Sequence, residues 1–420
     1  MEEASGFGFQ DIKPAGVLRC PVMPKDRYQP LIPEPPEPRM KACVVVPARN
    51  EEELLPSALH ALAEQKRLDG RPLDHATYEV LVLVNNSTDR SVDVAKSFQR
   101  LYKGLRLYVI ERNFDDAHSH IGHVRRSLMD EACARLETVA VHGGCILSTD
   151  ADTRVAPNWI CRNLEELDKG VDAVGGRIVV PPCEQDACLD LRTQTLYRYD
   201  ELYARLVCWV EDCWDSEAHD PWPRHHHHFG GSLALTPNAY KGVGRLPPRR
   251  FLEDVALYDA FRRHDLRIRH ANTVRVFSSA RVQGRIRWGL SRRLRDWQQL
   301  ALSANRVRVE SARFLEHLFQ TRARLRKVWS ASRAGLEPRS DATHAVCSAL
   351  SLPVRYALEI ARTSRCFGLL LERLDFYERC RAQWPDWVRL ARLTDTVEQL
   401  RAAFEVQMRA RSKVRQPVFK

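Results

Sequence analysis

The 420-residue chain has no run of about 18 uninterrupted apolar residues, the length that a membrane-spanning helix requires. Its first four residues are Met-Glu-Glu-Ala, and no apolar core follows them, so we expect no secretory signal. No G-x-G-x-x-G follows an early strand pattern, which argues against a Rossmann dehydrogenase. Together these absences favour a soluble globular protein without a dinucleotide fingerprint.

The twelve cysteines include no C-x-x-C pair, and the pairs Cys183/Cys188 and Cys208/Cys213 are each five residues apart, spacings that argue against disulfides. Several of them, such as Cys43 and Cys145, lie inside apolar runs. Such cysteines behave as small buried hydrophobic residues, and free thiols indicate a reducing compartment. We therefore expect reduced thiols and a cytoplasmic protein.

The positive charge of the chain is concentrated at its end. From Arg281 onwards there are 29 Lys and Arg against 13 Asp and Glu, a balance of +16 within a total of +11. This basic region could contact anionic membrane at the inner face, an acidic acceptor or nucleic acid. It contains no recognisable nucleic-acid module, so no nucleic acid is expected. A solvated, arginine-rich helical surface remains the preferred interpretation over any single partner.

Short apolar runs alternate with helical patterns between residues 41 and 149. This order predicts βαβ crossovers and a mostly parallel sheet flanked by helices, an α/β fold. We expect a Pro-rich N-terminal arm over 1–40, a catalytic domain over 41–287 and a basic helical region over 288–420. The predicted strands cover residues 42–47, 78–84, 105–110 and 145–149.

Three polar clusters follow these strands: Pro47 to Glu51, Asn85 to Asp89, and Asp150 to Asp152. In open α/β sheets, ligands bind beyond the carboxyl ends of the strands, so we expect the clusters to converge on one crevice. Asp150 and Asp152 flank one residue and form a hard oxygen site suited to Mg²⁺ or Mn²⁺. The alternative is an Asp turn that caps a helix.

Three blocks together resemble the family 2 glycosyltransferases of the GT-A fold: Pro-Ala-Arg-Asn-Glu-Glu at 47–52, Asn-Asn-Ser-Thr-Asp at 85–89, and Asp-Ala-Asp-Thr at 150–153. The resemblance covers residues 41–285. It implies a soluble, metal-dependent enzyme that transfers a sugar from a nucleotide-diphosphate sugar, UDP-sugar foremost, to an acceptor hydroxyl. The acceptor, a sugar, a lipid or a small molecule, is not indicated.

The resemblance also assigns residues to the donor. It implies that a nucleoside is held by Pro47, Ala48, Arg49 and Glu51 and by Asn85 and Asn86, and that Asp150 lies beside the donor. Where many relatives have Asp-Asp, this chain has Asn85-Asn86, which leaves the base open and makes a purely structural turn an alternative for one of them. Arg125, slightly favoured over Arg126, stands where relatives place a donor-contacting cation and could pair with diphosphate oxygens. A solvated helix end is the competing interpretation.

On the acceptor side, the segment from Phe229 to Leu235 is followed by Glu253-Asp254 at a predicted helix start. The resemblance implies a catalytic base here, and we assign Asp254, with Glu253 as orienting partner or substitute. A single carboxylate base implies inversion at the anomeric carbon. The alternative is a pair of acids that caps the helix.

Other motifs are weaker. Gln283 to Trp288 is similar to an element of processive synthases, but Arg-Trp lies one position late and no transmembrane helix is expected, so a processive synthase is rejected. Arg285 or Arg287 could still face the phosphates; a plain helix start is the alternative. The run from His225 to His228 is typical of a flexible loop with adventitious metal affinity. One of these histidines could line the acceptor pocket. His270 is a candidate third metal ligand, with a structural histidine preferred.

Two competing functions remain open. One is a catalytically inactive sugar-nucleotide-binding or scaffold protein of the same fold. The other is a nucleotidyltransferase, which would normally carry a Gly-rich loop after the first strand, where this chain has Pro47-Ala48-Arg49-Asn50.

Overall fold

The computed structural model describes residues 29–139, 144–181, 183–184, 187–281, 289–301 and 308–389. The strands are β1 (Ala42–Ala48), β2 (Tyr78–Asn85), β3 (Arg106–Arg112), β4 (Cys145–Thr149), β5 (Thr153–Val155), β6 (Ala173–Val179), β7 (Cys183–Glu184), β8 (Ala187–Cys188), β9 (Ser232–Leu235), β10 (Ile268–Ser278), β11 (Arg308–Glu310) and β12 (Trp387–Arg389).

The helices are α1 (Leu55–Ala63), α2 (Ser91–Leu101), α3 (Ile121–Val139), α4 (Trp159–Asp168), α5 (Leu191–Asp215), α6 (Pro237–Gly242), α7 (Glu253–Arg263), α8 (Leu290–Ala301), α9 (Ala312–Arg333), α10 (Ser340–Leu350), α11 (Val354–Thr363), α12 (Phe367–Arg373) and α13 (Phe376–Gln383). The chain divides into two compact units. The described residues of 14–189 and 218–295 form the sheet unit, and those of 190–217 and 296–420 form the helical unit.

The sheet unit contains an eight-stranded sheet in the order β3-β2-β1-β4-β9-β6-β10-β5. Strands β3, β2, β1 and β4 are parallel to one another, and β6 is parallel to β10. Strand β9 is antiparallel to both β4 and β6, and β5 is antiparallel to β10. The chain runs outward from β1 to β3 and then returns to β4 beside β1. This reversal creates a crevice between the carboxyl ends of β1 and β4. The predicted α/β class and the four predicted strands are confirmed.

Helices cover both faces of the sheet. Leu55 and Leu59 of α1 and Trp159 of α4 belong to the core on one face. Val124 of α3 and Phe261 of α7 belong to the core on the other. Every residue of β1 and β2 is buried, as expected for strands that are covered on both sides.

The described part of the N-terminal arm, residues 29–40, packs on the sheet unit. Ile32 and Met40 are buried in the core that contains α3. The Leu31 amide donates to Glu131 Oε2 at 2.7 Å. The proline-rich composition predicted an extended arm or linker; in its described part, Ile32 and Met40 anchor the stretch to the sheet unit.

The helical unit includes α5 from the middle of the chain, whereas the sequence predicted a continuous catalytic domain over 41–287. Leu196, Tyr203 and Val210 recur every seven residues along α5 and belong to one core with residues of α9, such as Phe314 and Leu318. An apolar stripe at this spacing predicts a helix, but it does not indicate which neighbour covers the stripe. The helical character predicted after residue 288 is confirmed for the described residues.

No described helix is both long enough and apolar enough to cross a membrane. The nine cysteines whose side chains the structure describes are all free thiols. Burial raises the pKa of Cys43 and Cys145, which keeps both protonated as small apolar side chains.

Candidate active site

The loops that follow β1 and β2 are joined by hydrogen bonds. The Asn50 amide donates to Ser87 Oγ at 2.9 Å, and the Thr88 amide donates to Asn50 Oδ1 at 2.7 Å. The Glu51 amide donates to Ser91 Oγ at 2.7 Å. Asn50 adopts a φ of 51°, a left-handed conformation that asparagine tolerates better than most residues. The first two predicted clusters therefore form one surface.

Arg281, beyond the end of β10, connects the third cluster to this surface. Its Nη2 lies 2.7 Å from Glu51 Oε1 and 2.7 Å from Asp152 Oδ2, and its Nη1 donates to Glu51 Oε2 at 2.9 Å. The predicted convergence of the three strand ends is thus confirmed. Sequence reasoning missed Arg281; an arginine just after the last long strand was the available signal.

Arg125 of α3 is a buried connection beneath the cleft. Its Nη2 donates to Asp150 Oδ1 at 2.7 Å and its Nε to Glu253 Oε1 at 3.1 Å. Its Nη1 donates to Ser148 Oγ at 2.6 Å and to the Gly230 carbonyl at 3.0 Å. Burial acts to lower the pKa of Arg125, but Asp150 and Glu253 outweigh it and hold the pKa above its usual value. The guanidinium is therefore a fixed cation that links the two carboxylates.

Arg126, the alternative to Arg125, has other partners. Its Nη1 donates to the Leu246 carbonyl at 3.0 Å, and its Nε lies 3.6 Å from Asp130 Oδ2. Arg125 is thus the member of the pair that contacts Asp150. Four N–H groups of Arg125 already donate to protein acceptors. This arrangement therefore does not favour the predicted contact between Arg125 and diphosphate oxygens.

Two glycines allow the acceptor-side segment to approach the arginine and the acid. A Cβ on Gly230 would lie 2.6 Å from Arg125 Cζ, and one on Gly231 would lie 2.9 Å from Asp150 Oδ2. Real Cβ atoms do not come this close to another atom. The Gly-Gly pair before β9 is therefore required by the close packing around Asp150.

Glu253 and Asp254 begin α7, as predicted, and differ in environment. Asp254 is half-buried; its Oδ2 accepts from the Gly230 amide at 2.9 Å and its Oδ1 from the Val255 amide at 2.8 Å. Glu253 is buried. Burial and the neighbouring charge of Asp254, opposed by Arg125, raise the pKa of Glu253 to about 7. Asp254 is the more accessible carboxylate.

The residues assigned to the nucleoside fall into two groups. Pro47 and Ala48 are the last two residues of β1 and are buried in the sheet, whereas Arg49 is exposed and donates to the Ser119 carbonyl at 3.2 Å. Asn86 shapes a turn: its Nδ2 donates to the Phe114 carbonyl at 2.8 Å, and its Oδ1 accepts from the Phe114 amide at 3.1 Å. The structural alternative therefore holds for Asn86.

Asn85 is buried at the end of β2, and its Nδ2 lies 3.4 Å from Asn86 Oδ1. This long contact leaves Asn85, rather than Asn86, as the amide with capacity for a ligand at this strand end. The element from Gln283 to Trp288, with Arg285 and Arg287, lies outside the described residues.

The histidine run lies in a loop, as predicted, but this loop packs within the sheet unit. His225 and His227 are buried, and His227 Nδ1 accepts from the Ile178 amide at 2.9 Å. His228 stacks on Tyr258 of α7 with ring centroids 3.8 Å apart. The run packs because the backbone of His227 approaches Gly175, where a Cβ would meet the His227 carbonyl at 2.2 Å.

His270, the candidate third metal ligand, lies in a buried ionic cluster. Its Nδ1 is 2.7 Å from Asp220 Oδ2, which also accepts from Arg224 Nη1 at 2.8 Å. Arg269 Nη1 donates to the other Asp220 oxygen at 3.0 Å. These contacts fit the preferred structural assignment.

The acids around the cleft outnumber the arginines that contact them in the described part of the chain. Arg125 and Arg281 contact Asp150, Glu253, Glu51 and Asp152, and Asp254 adjoins Glu253. Burial and the charge of Asp150, opposed by Arg281, raise the pKa of Asp152 to about 6. An oxygen-rich site with excess negative charge fits a divalent cation such as Mg²⁺ or Mn²⁺.

Residues 43–120 match the family model "Glycosyl transferase family 2". Over these residues the chain is similar to the family 2 glycosyltransferases. The match runs from β1 to the residue before α3 and includes Arg49, Glu51, Asn85 and Asn86. The carboxylates at 150, 152 and 254 lie beyond the match, so their assignment rests on the geometry given above. No curated protein matches the chain.

Several solved structures are similar to this chain. Residues 1–349 of TarS from S. aureus show 14% identity and a TM-score of 0.40, covering 82% of this chain and 92% of TarS 1–349. The mannosyltransferase PcManGT from Pyrobaculum calidifontis, solved with GDP-Man and Mn²⁺, shows 17% identity and a TM-score of 0.41, covering 88% and 87%. Glucosyl-3-phosphoglycerate synthase from Mycobacterium tuberculosis, solved with Mn²⁺, UDP-glucose and phosphoglyceric acid, shows 18% identity and a TM-score of 0.32, covering 63% and 80%.

Proposed function

We propose that this protein is a family 2 glycosyltransferase that transfers a sugar from a nucleotide-diphosphate sugar, with UDP-sugar as the first candidate, to an acceptor hydroxyl. In this proposal Asp150 and Asp152 hold Mg²⁺ or Mn²⁺, and Asp254 is the catalytic base. The observation that carries it is the buried Arg125, which contacts both Asp150 and Glu253, the neighbour of Asp254. One fixed cation thus links the carboxylates assigned to the donor with those assigned to the acceptor.

The donor side consists of the joined loops after β1 and β2. Arg49 is exposed there, and Glu51 and Asn85 lie at the strand ends. An amide and a carboxylate can bind the polar edges of a base and the hydroxyls of a ribose. We infer that Arg49, Glu51 and Asn85 contact the nucleoside, whereas Asn86 positions the turn.

The metal proposal rests on the chemistry of the available oxygens. Asp150 Oδ1 contacts Arg125, whereas its Oδ2 faces Gly231, and the carboxylate is 39% exposed. Asp152 is 20% exposed. When bound, a divalent ion would supply positive charge to the departing diphosphate.

Asp254 has the environment that a general base needs. Backbone amides of Gly230 and Val255 fix both of its oxygens, and it is more accessible than Glu253. In the proposed reaction the acceptor oxygen forms a bond to the anomeric carbon while the bond from that carbon to the diphosphate breaks. The acceptor proton passes to Asp254, the nucleoside diphosphate leaves on the opposite face, and the configuration inverts.

The experiment is a thermal-shift panel followed by donor hydrolysis. UDP, GDP, ADP, CDP and dTDP are each added to the full-length protein with and without MnCl₂. A ligand that binds only the native state raises the apparent stability by about 2.7 kcal/mol at a hundredfold excess over Kd. The nucleotide with the largest metal-dependent shift then selects the nucleotide sugars for the hydrolysis assay.

Asp152→Asn should abolish metal-dependent hydrolysis. Asp168→Asn is the matched control, because Asp168 is an exposed residue at the end of α4. No nucleotide shift in the wild-type protein would contradict the donor assignment. A nucleotide shift without hydrolysis or transfer from any sugar donor would instead support the inactive binding protein.

A further inference from the structure

Arg281 stands in direct contact with a carboxylate that the proposed function assigns to the metal. The oxygen Asp152 Oδ2 lies 2.7 Å from Arg281 Nη2. The same guanidinium makes a bidentate contact with the Glu51 carboxylate, at 2.7 and 2.9 Å. One cation of the chain itself therefore neutralises two acids from separate strand ends.

The two arginines of the cleft differ in how firmly they are held. Arg125 has a side chain that is 5% exposed and contacts Ser148, Gly230, Asp150 and Glu253. The Arg281 side chain is 25% exposed. Its Nε is buried but has no hydrogen-bond partner among the described residues. Arg125 is thus fixed by its acceptors, whereas Arg281 has an unused donor and solvent access.

A buried donor without an acceptor is unfavourable, so the observed position of Arg281 is not the one that satisfies all its donors. An arginine also carries a permanent positive charge and pairs with carboxylates and phosphates with similar geometry. Arg281 can therefore exchange one anionic partner for another without losing its charge.

We propose that Arg281 is a tethered counter-ion that competes with the divalent cation for Asp152. In the free protein it holds Asp152 and Glu51 together, and it releases Asp152 when the metal binds. This inference rests on the proposed function, since it assumes that Asp152 is a metal ligand. Its consequence is that Arg281 lowers the affinity of the free enzyme for the metal.

The test measures binding of MnCl₂ alone to the full-length protein, without nucleotide, from the electron paramagnetic resonance signal of free Mn²⁺. Arg281→Ala should bind Mn²⁺ more tightly than the wild type, on the order of tenfold, because a nearby positive charge has been removed from the site. Arg281→Lys keeps the charge but not the planar fork, so its affinity should lie between the two.

Arg275→Ala is the matched control. Arg275 lies on β10, is exposed, and donates from Nε to the Asn272 carbonyl at 2.9 Å. Its replacement removes the same charge but should leave the Mn²⁺ affinity within about twofold of the wild type. Circular dichroism checks that each variant is folded. If Arg281→Ala does not fold, Arg281→Lys decides the test: tighter Mn²⁺ binding than in the wild type supports the proposal, and equal or weaker binding overturns it.

Failure of this inference can be distinguished from failure of the proposed function. Equal or weaker Mn²⁺ binding by Arg281→Ala, with binding still abolished by Asp152→Asn, would overturn the counter-ion role and leave the metal site intact. No Mn²⁺ binding by either the wild type or Arg281→Ala would overturn both the counter-ion role and the metal assignment. Tighter binding by Arg281→Ala that Asp152→Asn removes supports both.

Discussion

Two buried ion-pair clusters, one in each unit, have opposite centres: an arginine in the sheet unit and an aspartate in the helical unit. In the sheet unit, Arg125 lies between two carboxylates, Asp150 and Glu253. In the helical unit, Asp215 lies between two arginines: Arg322 Nε is 2.6 Å from Asp215 Oδ2, and Arg326 Nε is 2.8 Å from Asp215 Oδ1. In the first cluster one cation contacts two acids. In the second, Asp215 contacts two cations, and Glu211 and Glu217 each contact one of the same arginines.

The pKa values follow from these surroundings. Burial and the charge of Asp254, opposed by Arg125, raise the pKa of Glu253 to about 7. Burial also acts to raise the pKa of Asp215, but Arg322 and Arg326 outweigh it and hold the pKa below its ordinary value. An acid that is stabilised in its charged form strengthens the fold, whereas excess negative charge in a cleft is suited to binding a cation or moving a proton.

The largest expected effect is the loss of turnover when the proposed base is removed. Asp254→Asn should lower kcat about 10²- to 10⁴-fold, the usual contribution of a general base, because the amide cannot accept the acceptor proton. Steady-state transfer with the donor found by the nucleotide panel measures the effect.

The urea midpoint of Asp254→Asn should fall only slightly, corresponding to about 1 kcal/mol of unfolding free energy, since an asparagine keeps one oxygen for the Gly230 amide but loses the acceptor of the Val255 amide. Glu253→Gln serves as the comparison variant. If Glu253→Gln loses more turnover than Asp254→Asn, then Glu253 is the base and the assignment is reversed.

The second prediction concerns the helical unit, where stability rather than turnover should change. Arg322→Met leaves Asp215 and Glu211 with less compensation, and the loss of one partner of a buried ion pair costs about 3–5 kcal/mol of unfolding free energy. Urea denaturation followed by circular dichroism measures this cost.

Arg324→Met is the control on the same helix, because Arg324 is exposed, and it should change stability by less than about 0.5 kcal/mol. Equal stability of the two variants would show that the Asp215 cluster is not a structural network. The contrast between a stabilising ion-pair cluster in the helical unit and excess acids in the cleft would then no longer hold.

The polar strand ends could be predicted because the rule that places them is local. A buried strand followed by polar residues indicates the carboxyl edge of a parallel sheet, and the bonds between Asn50 and Ser87 confirm this for the first two strands. Which of Asn85 and Asn86 shapes the turn could not be predicted from the sequence; in the structure it is Asn86, which combines a φ of 47° with two bonds to the Phe114 backbone.

Features that depend on distant parts of the chain could not be predicted. Arg281 is 230 residues from Glu51, and only the position of β10 beside β6 and β5 brings it to the cleft. Likewise, the residues around Arg125 are typical of a helix start. Its four acceptors come from other parts of the chain, namely Ser148, Asp150, Gly230 and Glu253. Such contacts require the register of the whole sheet.

The third prediction tests the Gly231 contact. In Gly231→Ala the new Cβ would lie 2.9 Å from Asp150 Oδ2, so the carboxylate must move. Because a carboxylate at the end of a side chain moves easily, stability should change little, but kcat/KM should fall by roughly tenfold to a hundredfold, as expected for a group misplaced by about 1 Å.

Gly242→Ala is the matched control, since a Cβ there would meet nothing within 4 Å. It should retain wild-type kinetics. A Gly231→Ala enzyme with unchanged kcat/KM would show that the position of Asp150 is not critical, which would weaken the donor assignment more than any stability measurement could.

The smallest predicted effect is a difference in pH dependence between Glu253 and Asp215. Because the folded state raises the pKa of Glu253 from 4.5 to about 7, the native protein binds this proton more tightly than the unfolded chain does. The free energy of unfolding should therefore fall as the pH rises from about 4.5 to about 7 and remain constant above that range. Glu253→Gln lacks this titration, so it should gain about 1–3 kcal/mol relative to the wild type between pH 5 and pH 8.

Asp215 has the opposite sign and provides the control. Its pKa is lowered in the folded state, so its stabilisation is complete above the ordinary value of 3.8 and is lost only as the pH falls below it. The destabilisation caused by Asp215→Asn should accordingly be the same at pH 5 and pH 8, while the difference between Glu253→Gln and the wild type changes. Parallel stability curves for Glu253→Gln and the wild type would mean that Arg125 alone neutralises Glu253. The excess negative charge that distinguishes the cleft from the helical unit would then reside in Asp150, Asp152 and Asp254.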